Sequence, residues 1–101
     1  MMPFSKEYYQ TWLLSLEARQ LEVIEVVLKI EVEVYEIQKL LLEVKELDEY
    51  DNFIFGNLIF MENRFKNRLR QYYNELEGID LDIAHCQFII SRFNRNNGDD
   101  I

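Results

Sequence analysis

Apolar residues recur in alternating steps of four and three along the first half of the chain: Tyr9, Leu13, Leu16, Val23, Val27, Ile30, Val34, Ile37, Leu41 and Val44, with only Gln20 interrupting the row. An α-helix turns about 100° per residue, so these steps return to one side and predict an amphipathic helix with a coiled-coil-like seam. From Lys6 to Leu47 there is no Gly, Pro, Asn or Asp, and therefore no turn chemistry to interrupt it. The start is signalled by Ser5 as N-cap, Glu7 in the first turn, and Phe4 placed to staple against Tyr9. Within this stretch Leu28 to Tyr35 (LKIEVEVY) alternates apolar and charged residues as a half-buried strand would. A strand needs a turn to reach its partner, and none stands near on either side, so a helix is the expectation.

Asp48 to Asn52 (DEYDN) is the first cluster of turn-formers and predicts a chain reversal. The very apolar stretch Phe53 to Met61 then leads into a second helix whose buried face is read as Ile54, Leu58, Met61, Phe65, Leu69, Tyr72 and Leu76, with Gly56 near its start. Gly78 is expected to end it in a left-handed cap, Ile79 packing back on Tyr73, and Asp80 to cap a third helix that buries Ile83, Cys86, Ile90 and Phe93. The expected fold is all-α: helices over about 5–48, 53–77 and 80–95 in one domain spanning 1–95, with 96–101 a flexible tail.

The first helix carries more than one apolar stripe. With Leu13 as heptad position a, the b positions are Leu14, Leu21, Leu28, Tyr35 and Leu42, while Trp12, Val26, Leu40 and Leu47 sit at g; only c, e and f are mainly polar. A helix apolar on two sides is normally covered on both, because exposed apolar stripes favour association. This predicts a homodimer or larger bundle, with Leu14, Leu16, Leu21, Val23, Leu28, Ile30, Tyr35 and Ile37 at the self-association interface.

Composition sharpens this picture. With 49% hydrophobic residues, three glycines and one proline among 101 residues, the chain can build a core and is not a disordered type. A single cysteine excludes a disulfide within the chain and makes a reducing, cytoplasmic setting the expectation. No apolar run reaches the roughly 18 residues of a membrane span, and Met1 to Leu16 lacks the basic-then-apolar layout of a secretory signal. The net charge is −8: residues 1–52 carry five basic and twelve acidic side chains, residues 53–101 six and seven. The acidic first half would repel a phosphate backbone, which disfavours nucleic acid and favours a basic protein or a second copy as partner.

Few residues suggest chemistry. Arg64, Lys66, Arg68 and Arg70 form one basic cluster, and ion pairs to Glu33, Glu36, Glu43 and Glu46 on the first helix are expected to absorb it more than a phosphate ligand. The glutamates of the first helix, Glu22, Glu25 and Glu36 among them, offer an acidic face interrupted by Lys29, Lys39 and Lys45, with Glu25–Lys29 and Lys39–Glu43 at i,i+4 spacing. His85 and Cys86 are neighbours and diverge by about 100° on a helix, so no shared metal or proton is expected; neither is a cofactor. Phe53, Phe55, Phe60 and Phe65 are read as core at one end of the bundle, any that stand exposed marking a second interface. The layout of one long and two shorter helices also resembles the all-helical chorismate mutases. Such enzymes gather several cations around a dicarboxylate, whereas the seam here offers Arg19, Lys29 and Lys39 among acids, so the layout carries no activity across. The function expected is a non-enzymatic protein-protein interaction module, an adaptor, assembly factor or regulator. The alternative is an acidic viral or mobile-element inhibitor that blocks a basic nucleic-acid-processing complex by charge mimicry.

Overall fold

The structure, a computed structural model, describes residues 4–46 and 52–98. Two helices account for nearly all of them: α1, Lys6–Lys45, of 40 residues, and α2, Asn52–Gly98, of 47. No strand occurs among the described residues, and LKIEVEVY lies inside α1. Its two-residue alternation arises because two helical stripes interleave there: Ile30 and Val34 are buried while Leu28 and Val32 are exposed, although a strand would have put all four on one face.

The start of α1 forms as its residues dictate. The Tyr8 amide donates to Ser5 Oγ at 3.2 Å, the Tyr9 amide donates to the Ser5 carbonyl at 3.4 Å, and the Phe4 and Tyr9 rings meet edge to face at 6.3 Å between centroids. Cap and staple are thus both present. At the other end the Glu46 amide is shared by the carbonyls of Leu42 and Glu43, at 3.3 and 3.2 Å. Of the expected reversal, Asp48 to Asp51 lie outside the described residues, and Asn52 is the first residue of α2.

The expected third helix is corrected. Gly78 and Asp80 sit inside α2, which runs unbroken to Gly98, and neither Gly56 nor Gly78 has positive φ. A glycine within a helix costs about 1 kcal/mol against alanine, but it does not forbid the helix. The inner row explains why α2 continues: Phe55, Leu58, Glu62, Phe65, Leu69, Tyr72, Leu76, Ile79, Ile83, Cys86, Ile90 and Phe93 are buried or half-buried in unbroken steps of three and four. Ile79 therefore belongs to this row, with Tyr73 exposed, rather than folding back as a cap residue. The row also corrects the expected face near the start of α2, where Ile54 and Met61 are exposed and Phe55 and Glu62 take the inward places one residue later. Residues 96–98 of the expected tail continue α2, and 99–101 lie outside the described residues.

The chain divides into two compact units, one of residues 1–23 and 75–101, the other of residues 24–74. In the first, Tyr9, Cys86 and Ile89 are buried, with Trp12, Leu13, Leu16, Ile90 and Phe93 packed against them. Val23 and Cys86 are almost fully enclosed, at 1% and 0% exposure. Rings gather around Tyr9: Phe4 stacks on Tyr8 at 4.2 Å, and Phe93 approaches Tyr9 at 6.3 Å. In the second unit the buried residues of α1 are Val27, Ile30, Val34 and Ile37, and the half-buried hydrophobic residues of α2 are Phe55, Leu58, Phe65, Leu69 and Tyr72.

Candidate interaction surfaces

The residues expected to mediate self-association divide into two sets. Val23, Ile30 and Ile37 are buried and Leu16 is half-buried, so the chain itself covers this side of α1. Leu14, Leu21, Leu28 and Tyr35 stand on the outside, as does Leu42, each between 56% and 68% exposed. In the unit of residues 24–74, Leu28, Val32, Tyr35 and Leu42 share one outer face, with Ile24 at its edge. In the unit of residues 1–23 and 75–101 the corresponding residues of α1 are Leu14 and Leu21, and α2 contributes exposed Leu81 and Phe88, the latter beneath the Arg92 guanidinium at 5.8 Å.

The expected ion pairing of the basic cluster does not form. Among the described residues no ion pair within 4 Å joins Arg64, Lys66, Arg68 or Arg70 to Glu33, Glu36, Glu43 or Glu46. Lys66 instead reaches Glu62 one turn back at 3.6 Å, and Arg64 lies over the Phe60 ring at 5.9 Å. Helical geometry gives the reason. Counting about 100° per residue, Glu36, Glu43 and Glu46 project roughly 130° or more from the inner row of α1 and so point away from α2. Arg64 and Arg68 border a surface depression of about 160 Å³ that Met61 and Phe65 complete. Nor do Glu25–Lys29 or Lys39–Glu43 close as ion pairs within 4 Å.

The polar links between α1 and α2 are others, which sequence reasoning passed over. Arg19 Nε donates to Glu75 Oε1 at 2.7 Å, while its Nη1 reaches Glu22 at 3.2 Å; the Glu75 bond first, then Glu22, pushes the guanidinium pKa up. Gln20, the one polar interruption of the seam, donates from Nε2 to Asp80 Oδ1 at 2.7 Å. Tyr73 donates its hydroxyl to Glu31, and that bond, ahead of partial burial, raises the phenol pKa. Gln20 at a seam position was the visible signal, since a polar residue there calls for a partner across the interface.

The aromatic run divides as well. Phe55 and Phe65 are half-buried, with Lys45 Nζ 5.8 Å from the Phe55 ring, whereas Phe53 and Phe60 are exposed beside exposed Ile54 and Met61. Cys86 is buried, and burial, with Asp82 adding to it, pushes its thiol pKa up; His85 faces outward. Among the described residues no group of three or more His, Cys, Asp or Glu is placed to hold a metal, and no helix is long and apolar enough to cross a membrane. Compared with protein-family models, curated proteins and solved structures, the chain has no significant match.

Proposed function

We propose that this chain is a non-enzymatic protein-protein interaction module that works in the cytoplasm as a homo-oligomeric helical bundle, in the manner of an adaptor, assembly factor or regulator. The observation that supports this reading is that α1 exposes apolar residues in each unit, Leu28, Tyr35 and Leu42 in that of residues 24–74 and Leu14 and Leu21 in the other, while its inner residues are buried or half-buried. Scattered exposed leucines need no explanation; residues repeating every seven positions along a helix do, because that spacing is what a second helix packs on. Covering apolar surface stabilises by about 25 cal/mol per Å², so association is favoured over leaving this side in water.

Light scattering and sedimentation test it. The wild-type protein should run above its monomer mass, and Leu21→Glu with Leu28→Glu should shift it to monomer while its helical circular dichroism persists, since both residues are exposed. A soluble wild-type monomer at micromolar concentration would remove the proposal.

A second reading, the acidic inhibitor that mimics a phosphate array, draws on Glu25 and Glu36, both exposed, and on Glu22, which keeps exposed surface despite its bond to Arg19. Under that reading binding to a basic target weakens steeply with salt and is lost on charge reversal at Glu22, Glu25 and Glu36. An apolar interface responds instead to substitutions at leucine and valine positions, with little salt dependence.

A further inference from the structure

The unit of residues 24–74 presents an outer α1 face whose charge pattern selects its occupant. Leu28, Val32, Tyr35 and Leu42 supply the apolar surface, and Glu25 and Lys39 occupy the intervening places at the same three-four spacing; all six are exposed. Lys29, Glu36 and Glu43 border the face on one side, Ile24, Glu31 and Gln38 on the other. None of Glu25, Lys29, Glu36 and Lys39 takes part in an ion pair within 4 Å among the described residues.

We infer that this face is covered by the same face of a second copy of the chain, laid antiparallel, so that Lys29 of each copy meets Glu36 of the other. The inference rests on the homo-oligomeric reading and adds orientation and register to it. In an antiparallel helix pair each flank faces the same flank of the other helix, whereas in a parallel pair the two flanks face one another. A parallel, in-register pair would set Glu25 against Glu25, Lys39 against Lys39 and Glu31 against Glu36, three like-charge approaches with no opposite-charge pair on the flanks to offset them, which is destabilising. The antiparallel pair with Lys29 facing Glu36 replaces these with two opposite-charge pairs at its centre and leaves like charges, Glu22 and Glu43, only at its two ends. The two-fold axis passes beside Glu33 and Val34, Val32 lies against Tyr35 of the other copy, Glu25 comes within one turn of Lys39, and Glu31 faces the neutral Gln38. Glu31 is also already bonded by Tyr73 of its own chain. The overlap covers residues 24–43 of both copies, nearly the whole of α1 within this unit.

Charge exchange and crosslinking test orientation separately from association. Lys29→Glu and Glu36→Lys should each weaken the dimer about tenfold in sedimentation at low salt, because each removes two symmetric pairs and creates two repulsions. The double variant should return to within about threefold of wild type. In a Cys86→Ala background, Lys29→Cys mixed with Glu36→Cys should give an interchain disulfide under mild oxidation, and neither alone should. A dimer whose charge variants are not rescued by the exchange, or in which Lys29→Cys crosslinks to itself, overturns this arrangement and leaves self-association standing. A wild-type monomer overturns both.

Discussion

The two units are built from the same two helices and differ in what holds them. In the unit of residues 1–23 and 75–101, α1 and α2 are joined by directional contacts: Arg19 to Glu75, Gln20 to Asp80, and an aromatic cluster closing on Tyr9 and Phe93. In the unit of residues 24–74 the buried residues of α1 are all β-branched aliphatics, Val27, Ile30, Val34 and Ile37, and the cross-link found is Tyr73 to Glu31 at the edge. Polar and aromatic contacts have preferred geometries and select one register, whereas aliphatic burial is non-directional. The first unit therefore carries more directional links between its helices, while in the second the inward residues are aliphatic on α1 and both aliphatic and aromatic on α2. The second also exposes more large apolar side chains, from Leu28 through Leu42 on α1 and from Phe53 to Met61 on α2.

The largest expected effects test the cores themselves. Ile37→Ala in the aliphatic unit and Tyr9→Ala in the aromatic one should each cost about 3 kcal/mol in urea unfolding. The comparison breaks if one unit tolerates the loss, because both side chains are almost wholly enclosed. Next comes Gln20→Ala, expected to cost about 1 kcal/mol by removing a hydrogen bond from a half-buried position. If the helices are linked as described, pairing this change with Asp80→Ala should cost less than the sum of the two changes.

A smaller effect, of opposite sign, comes from glycine. Gly78→Ala should stabilise by about 0.5–1 kcal/mol, because Gly78 is helical without positive φ and an added Cβ meets nothing within 4 Å; Gly56→Ala should behave alike in the other unit. A left-handed cap at Gly78 would make the same change destabilising, so the melting temperature decides between the two geometries.

The mildest prediction concerns pH. Burial holds the Cys86 thiol pKa above its ordinary value, so its contribution to stability is complete below the unfolded thiol's value, about 8.5, and is lost as pH rises through the folded one. Wild type should lose stability from neutral to alkaline pH more steeply than Cys86→Ala, and its thiol should react with Ellman's reagent only slowly until the unit opens.

The seam of α1 was legible residue by residue, since no turn-former stands between Lys6 and Leu47 to let the strand-like alternation of Leu28 to Tyr35 find a partner. Two features of α2 were not. Gly78 followed by Asp80 spells a cap followed by a start, and local chemistry alone favours that reading. The helix continues because Leu76, Ile79 and Ile83 stay in phase, so burial outweighs the preference of one glycine. Similarly Met61 looks inward by composition, yet the inward place belongs to Glu62, whose side chain is only 16% exposed and keeps its carboxylate on Lys66. Polar residues with apolar stems defeat a binary pattern. The outer stripe was legible as apolar, but the sequence alone did not show that α2 covers one edge of α1 and leaves Leu14, Leu21, Leu28, Tyr35 and Leu42 exposed.

In the unit of residues 24–74 the outer edge of α1 lies about 130° around from the inner one, so a slip of two residues, about 200°, would turn Leu28, Val32, Tyr35 and Leu42 toward α2 together with Glu25 and Lys39. Burying those two charged side chains weighs against that error. In the other unit the contacts of Arg19 and Gln20 add a directional preference for one register, and a variant stripped of both should show a broadened denaturant transition.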